Sequence, residues 1–250
     1  MRPLTEWYFR SHVRGLEQVP PEPALLVSHH DGGYIPVDAL CFGVAWHLHF
    51  NYTRPLHWLM HDFPFRIHPK LTALLHSCGV LPASHEHCSE ILDAGSSAFV
   101  YPGGAYEAFR PFSERKHIDL GGRTGFVAQS LRHRVPIVPV VSVGAHETLM
   151  ILSRGRPIAR LLRLRKLVRS DIFPIWLGLP WGVGFGPLPQ LPLPQKIRVQ
   201  VLQPILLWEE LGQVDPADPQ VLKQGHALVQ KKMQAALDKL HAQRRFSRFR

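Results

Sequence analysis

Cysteine is scarce in this sequence, and its spacing fits neither a disulfide framework nor a zinc site. The 250 residues include three cysteines, Cys41, Cys78 and Cys88, and no Cys-x-x-Cys pair. An odd count without paired spacing argues against a disulfide-stapled fold and against a zinc knuckle. We therefore expect the protein to work in a reducing compartment.

Long apolar runs and several catalytic signatures are also missing. The sequence has no stretch of about 20 apolar residues free of helix breakers, so we expect no ordinary transmembrane helix. Its N-terminus contains no apolar stretch of signal-peptide length. The patterns His-Glu-x-x-His, Gly-x-Ser-x-Gly and Gly-x-x-x-x-Gly-Lys-Ser/Thr do not occur. Their absence argues against a zincin, a hydrolase with a nucleophile elbow and a P-loop protein.

Acidic residues are outnumbered. The 29 Lys and Arg stand against 19 Asp and Glu, which gives a formal net charge of +10. A basic balance suits a polyanionic partner: nucleic acid, anionic lipid or a phosphorylated substrate. We expect no nucleic acid, because the basic segments lack an aromatic stacking platform. The 45% hydrophobic content supports a packed core, and the length suits one domain, residues 1–250.

Apolar β-branched runs alternate with helical patterns, which is typical of a layered α/β domain. The predicted strands are Ala24–Ser28, Gly79–Pro82, Ser97–Tyr101, Pro136–Val143 and Lys196–Leu202. The predicted helices are Pro36–Leu48, Pro69–Ser77, His85–Asp93, Thr124–His133 and one near Val221–Phe246. We expect a mostly parallel central sheet flanked by helices, because continuous apolar runs such as "PIVPVVSVG" are typical of strands buried on both faces. The prolines in that run leave its interior pairing open.

Within the domain, residues 1–20 form a lead-in, residues 24–155 carry the motifs, and residues 154–195 differ from ordinary surface. Residues 154–169 contain seven Arg or Lys and no acid, and residues 172–195 contain six prolines, two tryptophans and no charge. A basic stretch beside an apolar, Trp-containing one favours a membrane-interface segment. The alternative is a solvated basic helix followed by a proline-rich loop packed on the core.

The last segment, residues 221–250, is predicted to be a basic helix. Its apolar positions are Leu222, Val229, Met233, Leu237 and Leu240. Such a stripe most often indicates docking on the domain. The terminal "RRFSRFR" either reaches anionic lipid or is a frayed, solvated end.

The stretch "ALLVSHHDGGYIPVDAL" carries the first candidate site. His30 lies in the loop between a predicted strand and a predicted helix, where active-site residues of α/β sheets gather. Asp38, in the first helical turn, is close enough in sequence to fold back and bond one imidazole nitrogen, which would make the other more basic. Gly32 and Gly33 allow a close backbone approach or positive φ. A His-Asp pair is, however, more often structural than catalytic.

Metal binding is an alternative for the same stretch. His29, His30 and Asp31 are all ligand types, but successive residues at a strand end rarely point at one ion. His57 and His61 form His-x-x-x-His without the glutamate of a zinc motif. We therefore expect no metal cofactor.

A second stretch, "FVYPGGAYEAFRP", places two glycines after a predicted strand. Gly103 and Gly104 indicate close backbone approach to a ligand. Arg110 is suited to a phosphate, carboxylate or carbonyl, with Glu107 three residues before it as a holder. The alternative is a surface ion pair of little energetic value.

In order and separation, these motifs resemble the glycerolipid acyltransferase superfamily, in particular its lysophospholipid acyltransferases and diacylglycerol acyltransferase-like relatives. The resemblance covers roughly residues 7–155. "HDGGYIPVD" is similar to a His-x-Gly-Gly-x-x-Pro-x-Asp variant of the more common block with closer His and Asp. "VYPGGAYEAFRP" stands where the family has Phe-Pro-Glu-Gly-x-Arg. "GGRTGFVAQSLRHRVPIVPVVSVGAHE" is similar to the neutral-lipid branch.

This resemblance implies acyl transfer from a thioester, acyl-CoA or acyl-carrier protein, to a lipid alcohol without a covalent acyl-enzyme. His30 would be the general base and Asp38 its orienter. The substrate-binding residues would be Gly32, Gly33, Gly103, Gly104, Glu107, Arg110 and Arg123. It implies no metal, an anionic membrane surface as partner, and attachment at the cytoplasmic face. The oligomeric state stays open.

Two departures from the family pattern bear on the acceptor. The glutamate of the Phe-Pro-Glu-Gly block is Gly103 here, and "GVLPASHEH" has His85 where the family usually has an arginine. Both changes favour a neutral alcohol over a lysophosphatidate. Two other functions stay open at this point: an inactive peripheral lipid-binding protein, and a metal-dependent hydrolase that uses His29, His30 and Asp31.

Overall fold

The computed structural model describes residues 2–33, 35–168, 171–186, 188, 190–212 and 214–246. The strands are β1 His12–Arg14, β2 Leu25–Ser28, β3 Leu56–Met60, β4 Val80–Pro82, β5 Ser97–Val100, β6 Ile137–Val143, β7 Met150–Ser153, β8 Ile175–Gly178, β9 Gly182–Phe185 and β10 Arg198–Val201. The α-helices are α1 Val37–His49, α2 Pro69–Ser77, α3 His85–Asp93, α4 Gly104–Ala108, α5 Gly125–His133, α6 Arg156–Leu161, α7 Leu164–Val168, α8 Leu207–Glu210 and α9 Pro219–Phe246.

Seven strands form the main sheet, in the order β1-β10-β6-β2-β5-β3-β4. All neighbours pair in parallel except β10 and β6, which are antiparallel. Strand β2 lies in the middle, with Leu26 opposite Phe99 on β5 and Val138 on β6. The expected mostly parallel α/β sheet is confirmed. Because β2, β5 and β6 run the same way, their carboxyl ends lie at one edge of the sheet.

Pro139 sits inside β6 although a proline cannot donate to a ladder. The carbonyl of Pro139 accepts from the Leu202 backbone N–H at 2.9 Å, one residue past the end of β10. A residue's N–H and C=O point to the same side of a strand. The Pro139 nitrogen, which has no hydrogen to donate, therefore faces the end of β10 and not β2. The ladder from β6 to the parallel strand β2 is therefore kept, and the open question about this run is resolved.

Helices cover both faces of the main sheet, as expected. Leu25 and Val27 point into a core formed with α3, α5 and α9, while Leu26 points into a second core formed with α1 and the N-terminal residues. The alternation follows from the two-residue period of a strand. Burial of both faces explains why β2 reads as an uninterrupted apolar run.

Helix α9 docks on the domain through the apolar stripe seen in the sequence. Val229, Met233, Leu237 and Leu240 are buried against β6 and its neighbours. Arg244, near its end, pairs with Glu147 at 2.6 Å. The last four residues of "RRFSRFR", 247–250, lie outside the described part of the chain, so their predicted contact with lipid stays a prediction.

Residues 150–185 contain a second, three-stranded antiparallel sheet in the order β7-β8-β9. The proline-rich loop considered as an alternative for this region is therefore partly wrong: much of it is a β-hairpin. Trp176 on β8 is fully buried, and Gly184 opposite it leaves the space that its indole occupies. The hairpin was missed because β9, "GVGF", carries two glycines and so has a weak strand pattern.

The outer side of this small sheet is apolar and exposed. Leu152, Trp181, Val183, Phe185 and Leu191 are each more than half exposed. The preceding helices α6 and α7 carry the arginines of the basic segment. None of the described helices combines the length and the apolar character needed to cross a bilayer.

Candidate active site

The candidate site lies at the carboxyl edge of the main sheet, the position that favours ligand binding in open α/β sheets. His30 follows β2, Gly103 follows β5, and His146 follows β6. Three separate sequence blocks thus meet at one edge because their strands are parallel neighbours. The motif-bearing loops come together at this edge.

His30 is held mainly through its backbone. Its N–H donates to Glu107 Oε2 at 3.0 Å. Its imidazole ring lies 4.7 Å from the Tyr101 ring, centroid to centroid, and its Nδ1 is buried without a hydrogen-bond partner among the described residues. Burial lowers the pKa of His30 to about 4. The imidazole is therefore neutral near pH 7, the state that a general base requires.

Asp38 lies close by but does not contact His30 as expected. Its Oδ2 accepts from the Tyr101 hydroxyl and the Ser142 hydroxyl, each at 3.2 Å, and its Oδ1 is buried without a described partner. The predicted hydrogen bond between Asp38 and the His30 imidazole is therefore wrong for this state of the protein. Burial raises the pKa of Asp38 to about 7. Tyr101 stands between the two residues, touching the ring of one and the carboxylate of the other.

His29 and Asp31 belong to a buried ion network and not to a metal site. The Ser142 backbone N–H donates to His29 Nε2 at 3.0 Å, and His29 Nδ1 lies 3.2 Å from Asp31 Oδ1. Asp31 Oδ1 also lies 2.8 Å from Arg110 Nη2 and 2.8 Å from His146 Nε2. Burial opposes ionisation of Asp31, but His146 and His29 beside it hold the pKa of Asp31 well below its usual range.

The metal hypothesis finds no support in this geometry. Within residues 2–246, masked positions aside, the structure contains no group of three His, Cys, Asp or Glu side chains arranged to hold an ion. Both ring nitrogens of His29 already have partners, so it has no lone pair directed at a ligand. The side chains that suggested a metal instead fix the loop.

Arg110 and Glu107 complete this network and are buried. Arg110 is 1% exposed and Glu107 is 0% exposed. The guanidinium donates to Asp31 from Nη2 and to Glu107 Oε1 from Nη1, the latter at 3.3 Å. Burial raises the pKa of Glu107 to about 7, although Arg110 favours its ionised form. The surface-pair alternative is therefore wrong. Direct contact of either residue with substrate stays a prediction, and this arrangement does not favour it.

The glycines of both loops are explained by close packing. A Cβ on Gly103 would lie 2.3 Å from Glu107 Oε2 and 2.7 Å from the Asp119 carbonyl oxygen, so the Glu107 carboxylate fills the space beside this residue. Gly104, at φ +53°, lies against the guanidinium of Arg123. Arg123 is exposed and donates to the Pro102 carbonyl at 3.0 Å. Of the predicted cationic residues, Arg123 is thus the accessible one.

Gly32 and Gly33 form the turn of the His30 loop. Both have positive φ, +82° and +79°, which favours glycine. A Cβ on Gly32 would lie 2.9 Å from the Ala145 carbonyl oxygen, and one on Gly33 would lie 2.7 Å from the Leu149 side chain. The loop is therefore pressed against the segment that follows β6.

Three residues of the site were missed in the sequence: Tyr101, Ser142 and His146. Ser142 and Tyr101 lie at or just after the ends of β6 and β5, so position at the same sheet edge was an available signal. His146 lies within the block "GAHE", which was recognised only as a pattern.

With this geometry in place, the chain can be compared with known proteins. The family model described as Acyltransferase matches residues 10–143, which include β1 to β6 and the whole His30 loop. The chain belongs to the acyltransferase family. The resemblance to the glycerolipid acyltransferase superfamily drawn from the sequence motifs is thereby confirmed.

Relatives of this acyltransferase-family chain extend the match beyond the motifs. An uncharacterized protein of Mycobacterium tuberculosis is 30% identical over 249 residues, which are 98% of this chain and 66% of that protein. The "DGAT1/2-independent enzyme synthesizing storage lipids" of Gallus gallus is 32% identical over 169 residues, or 67% of this chain and 48% of the enzyme. The chain therefore spans less than two thirds of these relatives.

The fold has a solved counterpart. The 1-acyl-sn-glycerophosphate acyltransferase PlsC of Thermotoga maritima superposes with a TM-score of 0.57 at 15% sequence identity, covering 96% of this chain and 76% of PlsC. At that identity the match establishes the architecture alone. It agrees with the mostly parallel sheet and flanking helices described above.

Proposed function

We propose that this acyltransferase-family protein is a membrane-associated lipid O-acyltransferase. It would move a fatty acyl group from an acyl thioester to the hydroxyl of a lipid alcohol. The observation that carries the proposal is the position of His30: a neutral imidazole on a glycine turn, at the carboxyl edge of the sheet, inside the family-matching region.

His30 is the general base in this proposal. It takes the proton of the acceptor hydroxyl as the oxygen attacks the thioester carbonyl carbon, and it returns the proton to the sulfur when the C–S bond breaks. The buried atoms His30 Nδ1 and Asp38 Oδ1 both lack partners among the described residues, and both side chains lie against Tyr101. A hydrogen bond formed between them on substrate binding would satisfy both atoms and orient the base.

A neutral lipid alcohol is the favoured acceptor. Arg110 is buried and pairs through Nη1 and Nη2 with two carboxylates, which does not favour it as a phosphate ligand. The storage-lipid relatives support the same class. Arg123, exposed beside Gly104, would bind a phosphate of the thioester carrier at the rim of the site in this proposal.

Membrane attachment through the small sheet is part of the proposal. Its exposed apolar side chains, including Trp181, Val183 and Phe185, follow the arginine-bearing helices α6 and α7 in the chain. Apolar and Trp side chains beside cations suit the boundary between acyl chains and anionic headgroups. Both lipid substrates reside in that layer.

The test is a product analysis with purified protein. The protein is incubated with acyl-CoA or acyl-carrier protein and, separately, diacylglycerol, a long-chain alcohol or lysophosphatidate in vesicles, and products are identified by mass spectrometry. We expect a neutral ester from wild type and none from His30→Ala. His76→Ala, the same change on the exposed end of α2, is the matched control and should keep full activity.

Two outcomes would overturn this proposal. Full activity in a folded His30→Ala protein would remove His30 as the base. Vesicle binding by wild type without any product from these donors and acceptors would instead support the inactive lipid-binding alternative. Phosphatidate as the main product would reject the neutral acceptor while keeping the reaction.

A further inference from the structure

Gln190 brings a buried, unpartnered carboxamide to the His30 loop. The side chain is 8% exposed, and neither its Nε2 nor its Oε1 has a hydrogen-bond partner among the described residues. Nε2 lies 3.4 Å from where a Cβ on Gly33 would be. Gln190 therefore packs on the same glycine turn that presents His30, from the side of the small sheet.

Backbone hydrogen bonds of the residues that follow Gln190 fix the position of this segment. The next residue, Leu191, donates its N–H to the Leu179 carbonyl at 3.0 Å, and the Leu193 N–H donates to the Thr148 carbonyl at 2.9 Å. These bonds tie the segment to the hairpin on one side and to the block after β6 on the other. The carboxamide is fixed between them.

An unsatisfied buried amide is unfavourable for folding, because both its donor and its acceptor have lost water. The surroundings are otherwise apolar: Phe109 and Leu149, which flank Gly33, belong to the small hydrophobic core around Trp176. Segment 172–195 carries no charge, and its side-chain carboxamides are those of Gln190 and Gln195. A methionine or leucine at position 190 would suit this environment better if packing were all that mattered.

Other buried unpartnered atoms surround the same loop. They belong to His30, Asp38, Arg110 and His146, and of the remaining described cases His226 lies on helix α9. Buried polar groups without partners gather at functional sites because a ligand completes them. Gln190 differs from the other four in that both of its polar atoms are unpartnered and neither belongs to the ion network.

We propose that Gln190 is a substrate-contacting residue, whose carboxamide binds the polar end of the lipid substrate beside His30. The N–H group would donate to an ester or thioester carbonyl and the oxygen would accept from a hydroxyl. We expect the substrate to be a lipid with a neutral polar end, because the Gln190 carboxamide that would bind it carries no charge. This inference rests on the proposed acyl transfer for its kinetic test, but not for its binding test.

The experiment compares Gln190→Met with Gln195→Met, a matched change five residues along the same segment. Three quantities are measured for each variant and wild type: the melting temperature, the shift of that temperature caused by dioctanoylglycerol, and kcat/KM with acyl-CoA and dioctanoylglycerol. We expect Gln190→Met to melt at the same temperature as wild type or higher, because no hydrogen bond to a described residue is lost. We expect it to lose the dioctanoylglycerol shift and about tenfold or more of kcat/KM.

The results separate a contact with substrate from a structural role. A lower melting temperature for Gln190→Met would show that the amide stabilises the fold, and an unchanged dioctanoylglycerol shift would show that it does not touch the lipid; either overturns the inference. Gln195→Met should match wild type throughout. If wild type transfers no acyl group yet shows a shift that Gln190→Met loses, the proposed reaction fails and the role of Gln190 stands.

Discussion

The His30 loop has two very different sides. On the side of the main sheet, Asp31, Arg110 and Glu107 form a buried network in which a guanidinium joins two carboxylates. On the side of the small sheet, Gly33 faces Leu149, Phe109 and the uncharged carboxamide of Gln190. On the first side, ion pairs hold the loop in place. On the second side, the loop is lined by apolar side chains and one polar group, the Gln190 carboxamide.

The two sides show how charged residues can lie close to an apolar surface without presenting a charge to it. Buried ion pairs hold their geometry only when every member is paired. With its charges satisfied internally, the network presents none of them to the apolar side. The loop is therefore anchored by charge on one side, while its other side stays apolar.

Breaking the charged side should have the largest effect. Replacing Arg110 with methionine leaves the buried carboxylates of Asp31 and Glu107 without their cation, and we expect a loss of about 3–5 kcal/mol in the free energy of unfolding. Urea denaturation measures it. Arg66→Met is the matched control: Arg66 pairs with Asp62 at 2.7 Å but is 61% exposed, so we expect at most about 1 kcal/mol. Equal losses in the two variants would contradict a special role for the buried network.

Asp38 tests whether the charge behind His30 matters for catalysis. Its pKa is raised to about 7 by burial, so the carboxylate is protonated at lower pH and kcat/KM of wild type should rise through about pH 7. The pKa of His30, about 4, keeps the imidazole neutral over this range. Asp38→Asn should lower kcat/KM by roughly 10²-fold and flatten the profile between about pH 5.5 and 8.

Glu107 also has a pKa of about 7, and it therefore needs its own control. Glu107→Gln should keep the rise through about pH 7, because Asp38 still titrates in that variant. If Glu107→Gln flattens the pH profile and Asp38→Asn does not, the group that titrates near pH 7 is Glu107, and the assignment to Asp38 is wrong.

Gly103→Ala should perturb the junction between the charged network and the His30 loop. The backbone at Gly103 has an ordinary φ of −64°, so the cost is steric: the new methyl group meets the Glu107 carboxylate. We expect about 1–3 kcal/mol of lost stability together with reduced activity, measured by thermal unfolding and the product assay. Gly95→Ala, with φ +75° and open space around it, should lower stability through backbone strain alone and leave activity intact.

The smallest effect is expected on the outer, apolar side. Phe185→Asp changes an exposed side chain of the small sheet, so the fold should persist while binding to anionic vesicles weakens by about 1 kcal/mol or more. Leu74→Asp on α2, similarly exposed, is the control for a general loss of apolar surface. Vesicle sedimentation compares the two variants, and equal weakening would argue against the small sheet as the membrane contact.

The sequence was a good guide where one periodic pattern dominated. The helices Pro69–Ser77 and His85–Asp93 occur with the predicted bounds, and β2, β5 and β6 differ by a residue or so at their ends. The alternation of strands and helices indicated their mostly parallel pairing, and that pairing brings the three motif blocks to one edge. Strand β3 was missed because its histidine and tryptophan interrupt a clear apolar pattern.

The sequence predicted which residues belong to the candidate site better than it predicted which of them contact one another. His30 and Asp38 lie where the motifs indicated, but which carboxylate bonds which partner depends on Tyr101 and Ser142, which come from other strands. Arg110 looks like a surface cation in sequence because its partner Asp31 is 79 positions away. Long-range partners of this kind leave no local pattern.

The antiparallel strand β10 has a practical consequence for the boundaries of this domain. The family match ends at residue 143, yet β10 pairs along β6, β1 pairs only with β10 in the main sheet, and α9 covers the core beneath. A protein trimmed to the matching region would leave β6 as an open edge next to an uncovered apolar face, the arrangement that promotes aggregation. Shortened versions made for crystallography should therefore extend through α9 and should not end at residue 143.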